Sequence, residues 1–96
     1  MFIGVAKIVL EVYGSLSINE KNKAIIPFVK QCQKDFNVSV DIVDEYHDIE
    51  RVVLGISLVA NDEKITRQRL QKILEFIDTH APARVSSEET EIYSMS

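Results

Sequence analysis

The chain has 96 residues, of which 46% are hydrophobic and 27% charged, and its formal net charge is −4. This length and composition predict one folded domain over residues 1–96 and are not those of a disordered chain. The acidic balance argues against tight non-specific binding to nucleic acid, because phosphate contacts dominate that affinity, but it leaves room for a small basic patch that binds a structured RNA.

The chain carries no signal for a membrane, an export route or a metal. No apolar run approaches the ~20 residues that span a bilayer, and the N-terminal stretch lacks the basic region of a signal peptide. Cys32 is the single cysteine, so it cannot form an internal disulfide, and a metal site would need further Cys or His ligands. We therefore expect a cytoplasmic protein with no membrane association and no cofactor.

The first two elements are a strand and a helix. Alternate residues from Phe2 to Val12 are apolar or small, which predicts a strand, and Gly4 in it would let a helix approach closely. Ser17 and Glu20 form a capping box that begins a helix. Pro27 should kink this helix rather than end it; the alternative is two short helices split at Pro27. The predicted buried stripe is Ile25, Phe28, Val29, Cys32 and Phe36.

The rest of the chain predicts two strands, a second helix and a final strand. Residues 37–42 alternate as a half-buried strand, residues 44–50 read as a polar hairpin connection, and residues 52–60 form a strand that is apolar on both faces. Asn61 or Asp62 caps a second helix, which Pro82 stops. Residues 83–93 form an acidic edge strand, and residues 93–96 should fray. The predicted stripe of the second helix is Ile65, Leu70, Ile73, Leu74 and Ile77.

The order β-α-β-β-α-β predicts an α+β fold, the ferredoxin-like sandwich, with a four-stranded antiparallel sheet and two helices on one face. In this topology the first and third strands are central, and these are the two strands with apolar residues on both faces. The other face of the sheet stays open, and its apolar residues predict a homo-oligomer, most simply a dimer. The alternative is that an antiparallel sheet merely tolerates exposed aliphatic side chains. The predicted interface residues are Ile3, Val5, Val9, Val53 and Val59.

The same topology brings the turn at residues 13–17 and the hairpin at residues 44–50 to one end of the sheet. A helix N-terminus beside Ser15, Ser17, Lys21 and Lys23 permits an anion site, but the preferred interpretation is a capped helix whose lysines are solvated or loosely paired with the acidic hairpin. Lys30 and Lys34 share a helix face with Lys23, and this basic strip could contact RNA phosphates or be solvated.

His47 is flanked by Asp44, Asp48 and Glu50, which permits a metal site, an acid/base pair or a solvated loop. One histidine among carboxylates is a weak pattern for metal, so the solvated loop is the preferred interpretation. The first loop also lacks a Cys pair, and the central strands lack the stacking aromatics of an RNA-recognition motif. We predict no catalytic residue and no metal ligand, and we keep a hydrolytic role of His47 and Asp48 as a minor alternative.

Several blocks resemble one known family. Gly14–Lys21, Phe36–Val40, His47–Asp48 and Leu54–Asp62 resemble the YlxP-like family of small bacterial proteins of unknown function. The resemblance implies a ferredoxin-like fold, a cytoplasmic setting and genes placed among transcription and translation factors. It supplies no catalytic residue, since none is established for the family.

Two departures from the family pattern bear on function. Asn19 and Asn22 stand where the family's first helix usually carries charge, which weakens phosphate binding there. Residues 49–51 replace an aromatic and a glutamine that often follow the His-Asp pair.

Two hypotheses follow, both non-enzymatic. In the first, which the sequence and the family resemblance favour, the protein associates with ribosomal RNA, another structured RNA or a translation factor. In the second, it is a homo-oligomeric structural or regulatory module that uses the open sheet face and has no nucleic-acid role. The contact residues of the first hypothesis are Ser15, Ser17, Lys21, Lys23, Lys30, Lys34 and His47.

Overall fold

The computed structural model describes every residue except Tyr46. Its elements are β1 (Phe2–Glu11), α1 (Ile18–Phe36), β2 (Ser39–Asp44), β3 (Arg51–Ala60), α2 (Glu63–His80) and β4 (Arg84–Ser94). The strands form one antiparallel sheet in the order β2-β3-β1-β4, with both helices on one face. This confirms the predicted ferredoxin-like fold and its central strands.

The core lies between the sheet and the two helices. Ile8 of β1 is opposite Leu54 of β3, and both are fully buried. Ile25 of α1 and Ile73 of α2 are also fully buried against them. Alternate residues of each strand face the helices, and the apolar stripe of each helix faces the sheet. The two helices together therefore cover one face of the sheet.

Both helices begin at the predicted caps. The Ser17 hydroxyl accepts a hydrogen bond from the Glu20 N–H at 3.1 Å, and the Glu20 carboxylate accepts from the Leu16 N–H at 2.6 Å. The carboxylate thus reaches one residue further back than a simple capping box requires. Asp62 caps α2 by accepting from the Ile65 N–H at 3.0 Å. α1 runs through Pro27 as one helix, so the alternative of two short helices is wrong.

Two details of the helices and the chain end correct the predictions. Ile65, which the predicted stripe of α2 included, is 46% exposed, and Thr66 is fully buried in its place, donating its hydroxyl hydrogen to the Asp62 carbonyl at 2.8 Å. The chain end is paired rather than frayed, since β4 continues to Ser94 and the Met1 ammonium donates to the Met95 carbonyl at 2.9 Å. In the part of the chain that is described, no helix is long and apolar enough to cross a membrane.

Candidate functional site

Lys21 forms the centre of the loop end of the sheet. Its side chain is fully buried, and its ammonium donates to the carbonyl oxygens of Glu45 at 2.8 Å, Arg51 at 2.9 Å and Asp48. Burial lowers the pKa of Lys21, while the nearby carboxylates of Asp48 and Glu45 act in the opposite direction. The ammonium therefore stabilises the β2–β3 loop from inside, and Lys21 does not offer its charge to an external RNA or partner, which corrects the predicted contact.

The β2–β3 loop is held further by its own acidic side chains. Asp48 accepts from the N–H groups of Glu50 at 2.8 Å and Arg51 at 2.7 Å, and Asp44 accepts from the Glu45 N–H at 2.8 Å. The two bonds to Asp48 lower the pKa of its carboxyl group. Glu45 has a φ of 57°, a left-handed conformation unusual for a residue with a side chain. Two of the carboxylates predicted as metal or acid/base groups, Asp44 and Asp48, thus accept hydrogen bonds from the loop backbone.

Ser15 and His47, two of the predicted contact residues, line one open cleft of about 720 Å³ between the first turn and the β2–β3 loop. Ser17 also lies at this end, where its hydroxyl is engaged in capping α1. Leu16, at the rim, is 84% exposed. The Glu20 carboxylate already lies at the N-terminus of α1, where it accepts from the Leu16 N–H. Its negative charge would repel an anion that approached the same helix end. Among the described residues, no group of three His, Cys, Asp or Glu side chains is placed to hold a metal ion.

Lys23, Lys30 and Lys34 are all exposed on the outer flank of α1, and we call them the lysine strip. Lys30 lines a groove of about 300 Å³ between α1 and β2, together with Gln33. No carboxylate in the described part of the chain lies within 4.0 Å of the strip's ammonium groups. The strip is therefore accessible to solvent, and its use as a contact surface stays a prediction.

The open face of the sheet carries the predicted interface residues in paired register. Ile3 is opposite Val59, Val9 is opposite Val53, and Val5 is opposite Ser57. Val59 is 58% exposed, and Ile3, Val5 and Val9 are half-buried, whereas Val53 is buried and contributes little surface. We call this surface the open face; along β1 it is apolar at Ile3, Val5 and Val9, and the exposed Lys7 lies between Val5 and Val9.

Val43 and Tyr93 also belong to the open face, although neither was predicted from the sequence. A methyl group on Gly55 would lie 2.7 Å from Val43 Cγ1, so the half-exposed Val43 side chain covers Gly55 on this face. Val43 reaches it because the β2–β3 register shifts between Ile42 and Asp44, a bulge that no local pattern indicated. Tyr93, opposite Ile3 and 52% exposed, could have been found from the parity of β4. Its hydroxyl donates to Glu91, which raises the pKa of Tyr93.

Cys32 is a core residue, as predicted. Its side chain is fully buried in α1, and burial, with a smaller contribution from Asp35, raises the pKa of its thiol to about 11. Because the thiolate is the reactive form, this thiol is a poor nucleophile.

Comparison with known proteins places the chain in a family. Residues 3–90 match the family described as "Protein of unknown function (DUF503)". The chain belongs to this family. It is 30% identical over 77 residues to "Uncharacterized protein YlxP" of Bacillus subtilis (strain 168), a match that covers 80% of this chain and 84% of that one. The resemblance to the YlxP-like family is thereby confirmed.

A solved structure supports the fold of this DUF503 member. A de novo designed protein with a ferredoxin fold aligns over 97% of this chain and 83% of its own, with a TM-score of 0.53 and 14% identity. At this identity the likeness concerns the fold alone.

Proposed function

We propose that this DUF503 protein is a non-enzymatic, cytoplasmic module that assembles as a homodimer through its open face. The observation that carries the proposal is the row of paired aliphatic side chains on that face, above all Ile3 with Val59 and the neighbouring Val5. A cluster of partly exposed aliphatic side chains on one face favours a partner surface. A cytoplasmic, non-catalytic role agrees with the buried Cys32 and with loop carboxylates engaged in turns.

The dimensions and charges of the open face favour a second copy of this chain as the occupant. β1 and β3 have ten residues each, and four strands about 4.8 Å apart at ~3.4 Å per residue give a face of roughly 600 Å² in projection. That is the order of the ~800 Å² that each partner contributes to a standard interface. Lys7 and Glu89, opposite each other in register on this face, give it both signs of charge, so a two-fold-related copy can pair unlike charges.

Val5→Asp tests this proposal. A carboxylate at the centre of an apolar interface would be buried without a partner, so we expect the variant to sediment as a monomer where the wild type is a dimer. Gln68→Asp, on the exposed face of α2, adds the same charge away from the interface and should leave the mass unchanged. A dimer that persists in the Val5 variant would overturn the assignment of the interface.

A second candidate function rests on a different surface. The lysine strip is exposed and has no carboxylate partner among the described residues, which supports association with a structured RNA such as ribosomal RNA, or with a translation factor. The burial of Lys21 weakens this candidate, because it removes one cation from the proposed contact. Ser15 and His47 would extend the contact across the neighbouring cleft.

Co-sedimentation with ribosomal particles tests this second candidate. Association through the lysine strip should weaken steeply with salt, since counterion release accompanies each phosphate contact. Reversing Lys23, Lys30 and Lys34 to Glu should abolish it, and reversing Lys64, Arg67 and Lys72 on α2 provides a control of equal charge change. Equal loss in both triple variants would indicate non-specific attraction and exclude the strip as a site.

A further inference from the structure

The two edges of the sheet differ in how their backbone groups are protected. β2 has six residues, and side chains reach its backbone: Gln33 donates to the Val40 carbonyl at 2.6 Å, and Asp41 accepts from the Ile42 N–H at 2.8 Å. The bulge between Ile42 and Asp44 interrupts the strand further. Short length, side-chain contacts and a bulge are the usual means by which an edge is closed to further pairing.

The other edge, β4, is longer and less protected. It has 11 residues, and after a register shift near its start, residues 87–94 pair with β1 in unbroken register. Every residue from 86 to 91 is exposed, and no side chain of the described residues hydrogen-bonds to the β4 backbone. The outer edge of β4 therefore presents a row of main-chain donors and acceptors to whatever approaches it.

The side chains along this edge give it a strong charge. Glu88, Glu89 and Glu91 lie within four residues, and none is within 4.0 Å of a cationic group in the part of the chain that is described. The Glu91 carboxylate accepts a hydrogen bond from the Tyr93 hydroxyl. Lys7 is opposite Glu89 in register, but its ammonium is not within 4.0 Å of the Glu89 carboxylate.

A groove of about 320 Å³ runs between α2 and β4 beside this edge. Leu70, Leu74 and Ile92 form its apolar floor, and the rim bears Glu63 and Arg67, which bind each other at 3.2 Å. A side chain projecting from a strand added to β4 on the helix side would point toward this groove, because successive residues alternate between the two faces.

The charge decides against a second copy of the chain as the added strand. Antiparallel pairing of β4 with itself across this segment would place glutamates directly opposite each other, for example Glu89 opposite Glu91 of the other copy at about 5 Å, and like charges directly opposite are destabilising. An acidic edge instead complements a basic segment.

We propose that the outer edge of β4 accepts an extended, lysine- or arginine-rich segment of a partner protein as a fifth strand. Main-chain hydrogen bonds to β4 supply the pairing, basic side chains of the segment lie beside Glu88, Glu89 and Glu91, and one apolar side chain enters the groove against Leu70 and Leu74. Glu88, the main-chain groups of this edge and the groove lie outside the open face and remain accessible in the proposed dimer, whereas Glu89 and Glu91 lie on the open face at its β4 margin.

A capped heptapeptide of alternating lysine and valine is the probe. Titrated into the isotope-labelled full chain at low salt, it should bind saturably and slow the hydrogen exchange of β4 amides, leaving β2 amides unchanged. Replacing Glu88, Glu89 and Glu91 by Gln should weaken binding at least about tenfold. Replacing Asp35, Glu75 and Asp78 by their amides makes the same charge change on the helices and should alter affinity less than about twofold.

A second arm separates strand pairing from plain attraction between charges. Two versions of the peptide carry N-methyl groups on alternate residues, one version on each edge of the peptide strand. If the peptide pairs with β4, one version loses binding and the other keeps it, because a single edge of the peptide faces the protein. Four outcomes would each overturn the proposal. They are equal affinity of both N-methylated peptides, equal loss of affinity in the two charge variants, slowed hydrogen exchange in β2 rather than β4, and no binding at millimolar peptide.

Discussion

Lys21 illustrates how one buried charge can organise a loop. An ammonium group taken out of water is costly unless its donors are satisfied, and the carbonyls of Glu45, Asp48 and Arg51 supply acceptors at hydrogen-bond distance. The bonds join the first turn of α1 to a loop more than 20 residues later. The left-handed Glu45 is part of the same arrangement, since its carbonyl is one of the acceptors.

Lys21→Met should destabilise the protein by about 2–4 kcal/mol, since the methionine retains an apolar stem but leaves several buried carbonyls without their donor. Urea denaturation measures this loss. Lys23→Met, two residues along and exposed, is the matched control, with an expected change within about 0.5 kcal/mol. Equal effects of the two substitutions would show that the buried ammonium does not hold the loop.

Asp48→Asn should reduce the sensitivity of the protein to acid. The folded-state pKa of Asp48 is below its ordinary value of 3.8, so its carboxylate contributes stability that is complete above pH 3.8 and lost as pH falls through the folded pKa. Denaturation midpoints measured between pH 2 and pH 6 should therefore fall less steeply in the variant. Parallel curves for the two proteins would contradict the role of the charged carboxylate.

The position of Lys21 in the sequence hints at its burial but does not establish it. Lys21 lies four residues before Ile25 and seven before Phe28, which places it on the buried stripe of α1. A charged residue is assigned to the surface by default. Its acceptors are backbone carbonyls of a distant loop, and only the folded chain brings them into reach.

At the scale of elements, the strongest local patterns predicted the correct structure. β1 and β3 are apolar on both faces and became the central strands, and Ser17 and Asp62 begin the helices. The failures are local as well. Thr66 is buried in place of Ile65 because it lies four residues before Leu70 and seven before Ile73, on the same helix face. Its hydroxyl tolerates this position because it donates to the Asp62 carbonyl.

Gly4 and Gly55 offer a matched test of packing between elements. A methyl group on Gly4 would lie 2.8 Å from both Leu70 Cδ1 and Thr66 Cγ2, side chains that are buried in α2. The methyl group on Gly55 meets Val43, whose exposed side chain can move aside. We expect Gly4→Ala to cost about 1–3 kcal/mol and Gly55→Ala distinctly less, despite similar contact distances.

Thermal or urea denaturation of the two glycine variants measures the difference. If Gly55→Ala lowered the free energy of unfolding more than Gly4→Ala, the Leu70 and Thr66 side chains of α2 would accommodate a methyl group more easily than Val43 in the β2 bulge.

At the scale of the whole molecule, positive and negative side chains lie on different surfaces. α1 carries four lysines against Glu20 and Asp35, whereas the acidic residues of β2, the β2–β3 loop and β4 form the sheet's edges. The apolar open face lies between these acidic edges. The alternation of residues along the strands predicted the open face. The bulge that adds Val43 and the side-chain hydrogen bonds that protect the β2 edge depend on tertiary contacts and were not predictable.

The lysine strip and the open face are separate surfaces, and their effects should be separable. A variant with Lys23, Lys30 and Lys34 changed to Glu should keep the wild-type mass in sedimentation equilibrium, because these residues lie on the helix side of the molecule. A mass that falls to that of the 10.9 kDa chain would place the strip inside the dimer interface instead.

The most direct test of the account is whether two copies touch through the open face. A sample that mixes isotope-labelled and unlabelled chains reports contacts between copies as isotope-filtered NOEs. We expect cross-copy NOEs from the methyl groups of Ile3, Val5 and Val59, at concentrations where the sedimented mass is that of a dimer. NOEs confined to α1 and α2, or a chain that stays monomeric at millimolar concentration, would contradict it.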